Sequence, residues 1–243
     1  MKTGILSDVH GNVEALTAVL EDMQQRGVDD VVCLGDCVGY GAEPDRCLDI
    51  LTEACSNIVA GNHDLAAAGK LDESRFNSLA RSSVHFTRSK LRKPQLEYLA
   101  ELPMTAAHDD MLLVHASPSE PMAFPYIKDC HGARTVFEAG EFKLAVFGHT
   151  HQPMAFQCDS SRNVTVSLNP TISLQLDHCS YFINVGSVGQ PRDCDPRSCY
   201  SIFDSEQQQL RLHRVEYDAR QCADKILAEG LPSALGERLL AGV

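Results

Sequence analysis

The sequence predicts an α/β fold in which helices alternate with parallel strands first and a second sheet follows. Three observations predict it. Over residues 2–60, apolar runs and helical patterns alternate as strand–helix–strand–helix–strand, the signature of a parallel α/β sheet. From Met154 onward the pattern changes to short alternating segments, which read as antiparallel strands of a second sheet. Several apolar runs end in a small island of Asp, His or Asn, as they do where a site lies beyond the carboxyl ends of strands.

The elements follow in order. Residues 2–6 form a short buried strand. Asn12 is placed to cap the next segment, whose Val13, Leu16, Val19 and Leu20 share one helical face until Gly27 ends it. Residues 31–34 make the next strand and Gly39-Tyr40-Gly41 a loop. Pro44 opens a second helix, and residues 58–60 return as a strand. Residues 64–102 are polar and helix-prone, with Leu79, His85, Leu91, Leu96 and Leu99 at near-helical spacing, and form a helical excursion. Strands resume at 111–114 and 144–147, around a helix at about 130–140. The alternating segments are 154–157, 163–168, 171–175, 181–184, 199–204 and 209–215. The end, 218–240, is one or two helices broken near Gly230-Leu231-Pro232. No repeat or low-complexity linker divides the chain, so residues 1–243 read as a single domain.

Bulk properties narrow the function. Hydrophobic residues make up 44% and charged residues 22%, and no run approaches the roughly 20 apolar residues a membrane span needs. The short apolar start turns acidic at Asp8, which excludes a signal peptide and implies a cytoplasmic protein. The net charge of −12 argues against a stable nucleic-acid complex, which needs a basic surface. It leaves a nucleotide substrate open, because bound cations reverse the field locally. The ten cysteines include no C-x-x-C pair and read as reduced thiols. Asn163-Val164-Thr165 matches a glycosylation sequon, which has no meaning in the cytosol. Val185 excludes the G-x-S-x-G elbow, and no Walker loop follows a strand.

The islands are Asp8-Val9-His10, Gly35-Asp36, Gly61-Asn62-His63-Asp64, Val114-His115 and Gly148-His149-Thr150-His151. Two-residue spacing places Asp8 with His10, and His149 with His151, on one side of an extended strand end. All five islands then converge on one rim of a sheet. Carboxylate, amide and imidazole donors without thiolate suit divalent Mn, Fe, Zn, Co or Ni, and they are too many for one ion. A carboxylate shared between two ions about 3.5–4 Å apart gives the arrangement that hydrolyses phosphate esters.

In this order and at these separations the islands resemble the signature of the calcineurin-like metallophosphoesterases: D-x-H, G-D, G-N-H-D/E, a lone His, and G-H-x-H. The segments Gly35-Asp36-Cys37-Val38-Gly39-Tyr40-Gly41 and Asn184-Val185-Gly186-Ser187-Val188-Gly189-Gln190-Pro191-Arg192-Asp193 resemble loops of that family's small bacterial branch of phosphodiesterases and diadenosine-tetraphosphatase-like proteins, which is linked to phosphodiester, dinucleoside polyphosphate and phosphomonoester hydrolysis. The resemblance implies a two-sheet β-sandwich flanked by helices, in four α/β/β/α layers. It implies one divalent transition-metal ion on Asp8, His10, Asp36 and His151. A second would lie on Asp36, Asn62, His115 and His149, with Mn or Fe favoured. A hydroxide bridging the ions would attack phosphorus. His63 would protonate the leaving oxygen or stabilise the transition state, and Asp64 would either orient His63 or cap the following helix.

The chain also departs from the family pattern. Gly39 and Tyr40 stand where the phosphoprotein phosphatases of the superfamily carry Asp and the Arg that grips phosphate. Arg192 and Arg197 are the candidates to replace that Arg. Cys194 and Val185 replace an expected Gly and Pro, changes of loop shape. Tyr40, His85, Phe86, Phe124 and Tyr126 could stack on a base if they line the cleft. The resulting expectation is a binuclear phosphodiesterase acting on a phosphate ester or nucleotide. The alternatives are a dinucleoside polyphosphate hydrolase, a phosphomonoesterase or protein phosphatase, or a scaffold of the same fold without turnover. A scaffold typically loses a ligand or the His after Asn, and neither is lost here.

Overall fold

The computed structural model describes residues 1–243. Its first quarter runs β1 (Lys2–Leu6), α1 (Val13–Gln25), β2 (Asp30–Cys33), α2 (Pro44–Ala54) and β3 (Asn57–Ile58). Asn12 caps α1 by accepting from the Ala15 amide at 3.0 Å, and Pro44 sits in the first turn of α2, as the local chemistry predicts. The excursion comprises α3 (Asn62–Ala67), a 3₁₀ turn at Glu73–Arg75, α4 (Ser78–Lys90) and α5 (Lys93–Glu101). Then come β4 (Thr105–His108), β5 (Met111–Val114), a 3₁₀ turn at Pro121–Ala123, α6 (Cys130–Ala139) and β6 (Leu144–Phe147). The remainder is β7 (Met154–Cys158), β8 (Val164–Ser167), β9 (Thr171–Ser173), β10 (Ser180–Asn184), β11 (Ser198–Asp204), β12 (Gln209–Val215), α7 (Ala219–Ala228) and α8 (Ser233–Ala241). The strand β4 escaped the sequence pattern because Thr-Ala-Ala-His carries no apolar run.

The strands form two mixed sheets of six, ordered β3-β2-β1-β11-β12-β9 and β4-β5-β6-β10-β7-β8. This corrects the expectation that the strands after Met154 make a sheet of their own. They are divided between both sheets: β9, β11 and β12 extend β1–β3, while β7, β8 and β10 extend β4–β6. Burial explains the assignment. Six of the seven residues of β11 and four of the five of β10 are buried, so each needs cover on both faces and takes a central position, β11 beside β1 and β10 beside β6. Half-exposed β8 and β9 take the edges.

The sheets pack face to face. Ile5, Val32 and Val59 of the first meet Leu113, Val146, Tyr181 and Ile183 of the second. On the outer face of the first sheet lie Leu16 and Val19 of α1 and Leu48 and Leu51 of α2. On the other side, Val136 and Phe137 of α6 cover Phe147, Phe156 and Phe182, with Phe147 and Phe182 stacked at 3.8 Å. The result is the four-layer helix/sheet/sheet/helix sandwich. No helix is long and apolar enough to cross a membrane.

Candidate metal centre

The five islands meet where the carboxyl ends of β1, β2, β3, β5 and β6 come together. The rim therefore spans both sheets, not the edge of one as the sequence suggested. The strand-end backbone also differs from expectation. Asp8, His10, Asp36, His149 and His151 all have positive φ, between 51° and 62°. Side chains two apart reach the same site because the chain coils through the left-handed region, not because it stays extended. Each such residue costs about 1–3 kcal/mol. Buried backbone bonds hold the conformation: the Asp8 amide donates to Gly35 O at 3.0 Å, His10 to Asp36 O at 2.9 Å, and Gly189 to Asp8 O at 2.9 Å.

Three donor groups lie close enough to hold ions: Asp8 with His10 and His151; Asp36 with His115 and His149; and His10 with Asp36 and His63. Each carboxylate has one oxygen tied by the protein and one aimed inward. Asp8 Oδ2 accepts from Ser7 Oγ at 2.6 Å and the His149 amide at 3.0 Å, while Oδ1 lies 3.1 Å from His151 Nε2. Asp36 Oδ1 accepts the His63 amide at 2.8 Å, leaving Oδ2 between His10 Nε2 (3.7 Å) and His115 Nε2 (3.4 Å). The imidazoles follow the same logic. Nδ1 of His10, His115 and His151 pairs with the carbonyls of Val38, Leu34 and Gln190, so Nε2 faces the cluster. His149 is reversed, with Nε2 on Phe124 O at 2.9 Å and Nδ1 3.1 Å from His115 Nε2.

Such a set fits divalent cations. Asp8 Oδ1 and Asn62 Oδ1 are buried without a hydrogen-bond partner, a costly state for a polar atom unless something outside the chain satisfies it. The electrostatics agree. Burial opposes the charges of Asp8 and Asp36, yet the imidazoles around them, His151 and His115 foremost, hold both carboxyls well below the usual range. Burial also disfavours a charged His115, but Asp36 and Asp8 outweigh it and raise that group to about 10. His149 is held down to about 3 by burial and by His115.

His63 is buried against His10, Tyr40 and Phe76, with ring centroids 4.4–5.0 Å apart, and burial lowers its pKa to about 4. Gly39 explains one departure from the family pattern. It has φ +93°, and a Cβ there would lie 2.5 Å from His63 Nδ1. No hydrogen bond joins the Asp64 carboxylate to the His63 ring. That carboxylate accepts from the Gly61 amide at 3.0 Å and the Val38 amide at 3.3 Å, so of the two roles expected of Asp64 the geometry shows the cap, extended to the 35–39 loop. Arg192 reaches the rim: its guanidinium lies 5.7 Å from the Tyr40 ring centroid and donates to Gln190 Oε1 at 2.7 Å. Arg197 is not brought there, being exposed and paired with Asp195 at 2.6 Å.

Among the aromatic candidates, Tyr40, Phe124 and Tyr126 line a cleft at the open side of the cluster. His85 pairs instead with Glu73, and Phe86 lies beneath Lys90. Sequence reasoning missed the supporting residues. Besides Ser7, Ser187 Oγ donates to Asp8 O and accepts from the Gln190 amide, and Asn184 Nδ2 bonds Gly148 O and Thr150 Oγ1. The signal was present, since two of the three, Asn184 and Ser187, lie in the 184–193 segment that resembles the family, where Arg192 alone carries an expected role.

Two stacked mixed sheets with such a donor ring at their joined strand ends define an α/β sandwich with a candidate metal centre. The chain belongs to the calcineurin-like phosphoesterase superfamily, whose domain profile matches residues 1–208. An uncharacterized protein of Methanocaldococcus jannaschii is 35% identical over 242 residues, covering 98% of this chain and 97% of its own. The crystal structure of a metallophosphoesterase from Sphaerobacter thermophilus is similar with a TM-score of 0.87 and 39% identity, covering 100% and 99% of the two chains. A hypothetical protein from Pyrococcus horikoshii shares the fold at a TM-score of 0.79 and 19% identity, covering 100% and 98%.

Proposed function

We propose that the protein is a binuclear metal-dependent phosphodiesterase. The reading is carried by the buried groups Asp8/His10/His151 and Asp36/His115/His149, beside which Asp8 Oδ1 and Asn62 Oδ1 have no hydrogen-bond partner. One ion would lie on Asp8, His10, Asp36 and His151, and the other on Asp36, Asn62, His115 and His149, with Mn or Fe favoured. Two such ions supply Lewis acidity toward phosphoryl oxygens and lower the pKa of a water nucleophile. The chain does the rest. Asp36, with Oδ2 within 3.7 Å of imidazoles from both groups, would serve as the ligand common to them. His63 donates a hydrogen bond to the leaving oxygen, and Asp64 holds the loop against which His63 packs. Arg192 steadies a non-bridging oxygen.

A diester is favoured over a monoester by the count of cationic side chains. Gly39 and Tyr40 contribute none, and the Arg75 guanidinium is directed at the carbonyls of Met122 and Ala123. Arg192, over the Tyr40 ring, brings one guanidinium beside the cluster, which suits the single negative charge of a diester. The test is metal analysis of purified protein, then assay with bis(p-nitrophenyl) phosphate under Mn²⁺. Metal with diester turnover supports the reading. Persistent absence of both would sink it, and turnover of monoesters alone would refute the diester assignment.

A further inference from the structure

The open side of the cluster continues into a cleft of about 220 Å³. Asn62, His63 and His149 form its inner end, so an occupant lies directly against residues assigned to metal and leaving group. Its walls come from two segments far apart in sequence: Phe76 after the first 3₁₀ turn, and Phe124 and Tyr126 after the second. Arg75 ties these walls together, donating to Met122 O at 3.1 Å and Ala123 O at 3.2 Å.

The aromatic rings are unevenly used by the protein. Phe124 is buried and packs its edge near His115. Tyr126 stacks on His149 (centroids 4.2 Å, 28° between planes), yet is 57% exposed. Packing alone does not require a tyrosine there, since most of its surface meets water. Phe76 meets His63 edge-on at 5.0 Å. The one cation over Tyr126 is Lys128, 5.4 Å from its centroid on a long exposed side chain.

We propose that this cleft selects esters carrying a planar aromatic group, seated against Tyr126 and Phe76 beside the metal centre. The inference rests on the phosphoesterase reading above and adds the chemical class of the ester's organic group. Drug-sized pockets span about 300–1,000 Å³. The smaller cleft holds one ring system, and a second large substituent stays in solvent. Flat π-faces stack on aromatic side chains, whereas an alicyclic ring of similar size gains only burial.

The experiment is calorimetric titration of phenyl phosphate and cyclohexyl phosphate into Mn²⁺-loaded protein, in parallel with the diesterase assay. Phenyl phosphate is expected to bind about 5- to 10-fold more tightly, the size of an aromatic pair interaction. Tyr126→Phe should keep that ratio, and Tyr126→Leu or Phe76→Leu should bring it toward one. Equal binding of the two ligands in the unmodified protein overturns the proposal, as does a ratio that survives Tyr126→Leu combined with Phe76→Leu. If the ratio behaves as expected but no ester is hydrolysed, the phosphoesterase reading fails and the aromatic site stands. If diesters are hydrolysed without ring preference, the reverse holds.

Discussion

Asp36 Oδ1 accepts the backbone N–H of His63 at 2.8 Å, so the carboxylate proposed to join two ions also fixes the residue proposed to act on the substrate. The bond uses the His63 backbone, which leaves the two functions separable by mutation. Asp36→Asn should reduce bound metal from about two ions toward none. His63→Ala keeps the amide and should keep both ions, while turnover falls by about 10²–10⁴-fold, the usual contribution of a group handling the leaving-group proton. Elemental analysis alongside kcat checks both. Loss of metal in His63→Ala would mean that the ring itself is a ligand.

Gly39→Ala should damage His63 without touching any ligand. The new methyl group would press on His63 Nδ1 at 2.5 Å, and the backbone at φ +93° disfavours any side chain. A stability loss of about 1–3 kcal/mol is expected, with reduced kcat and unchanged metal content. Denaturant melts and elemental analysis separate these effects.

Arg192 and Arg197 should behave differently. Arg192→Met should raise KM for a diester by about 10- to 100-fold, because it removes a charge-assisted contact worth about 1.5–3 kcal/mol. Arg197→Met breaks only an exposed pair with Asp195, worth about 0–1 kcal/mol, and KM should not change. Equal effects on KM would place the phosphate grip elsewhere.

Acid sensitivity has a source remote from the metal centre. His213 on β12 stacks on Tyr200 at 5.2 Å, and burial, with Arg26 nearby, lowers it to about 4. The unfolded chain takes up this proton first, near the ordinary histidine value of about 6.5. The stability is therefore complete above about pH 6.5 and is lost as pH falls toward 4. His213 is half-buried, so solvent screening reduces the effect to about 1 kcal/mol. His213→Phe should shrink the fall in Tm between pH 7 and pH 4.5 by roughly 2–4 °C, measured by calorimetry. An unchanged pH slope would show that His213 titrates normally.

Much of the molecule was legible in the sequence because the determining forces are local. Asn12 and Pro44 mark helix starts through their own backbone chemistry, and the apolar runs at 2–6, 111–114 and 144–147 coincide with β1, β5 and β6. The metal-ligating candidates stood out because each follows such a run. Tertiary structure alone decided which sheet received each strand after Met154, since that depends on which edge and which faces other segments leave uncovered. It alone sent Asp64 to the Gly61 and Val38 amides instead of His63, and Arg192 but not Arg197 to the rim. A long side chain reaches several partners at similar cost, and only the packed loops choose among them. The aromatic cleft belongs to the same class, because its walls, about 50 residues apart in the chain, meet only after both sheets have closed.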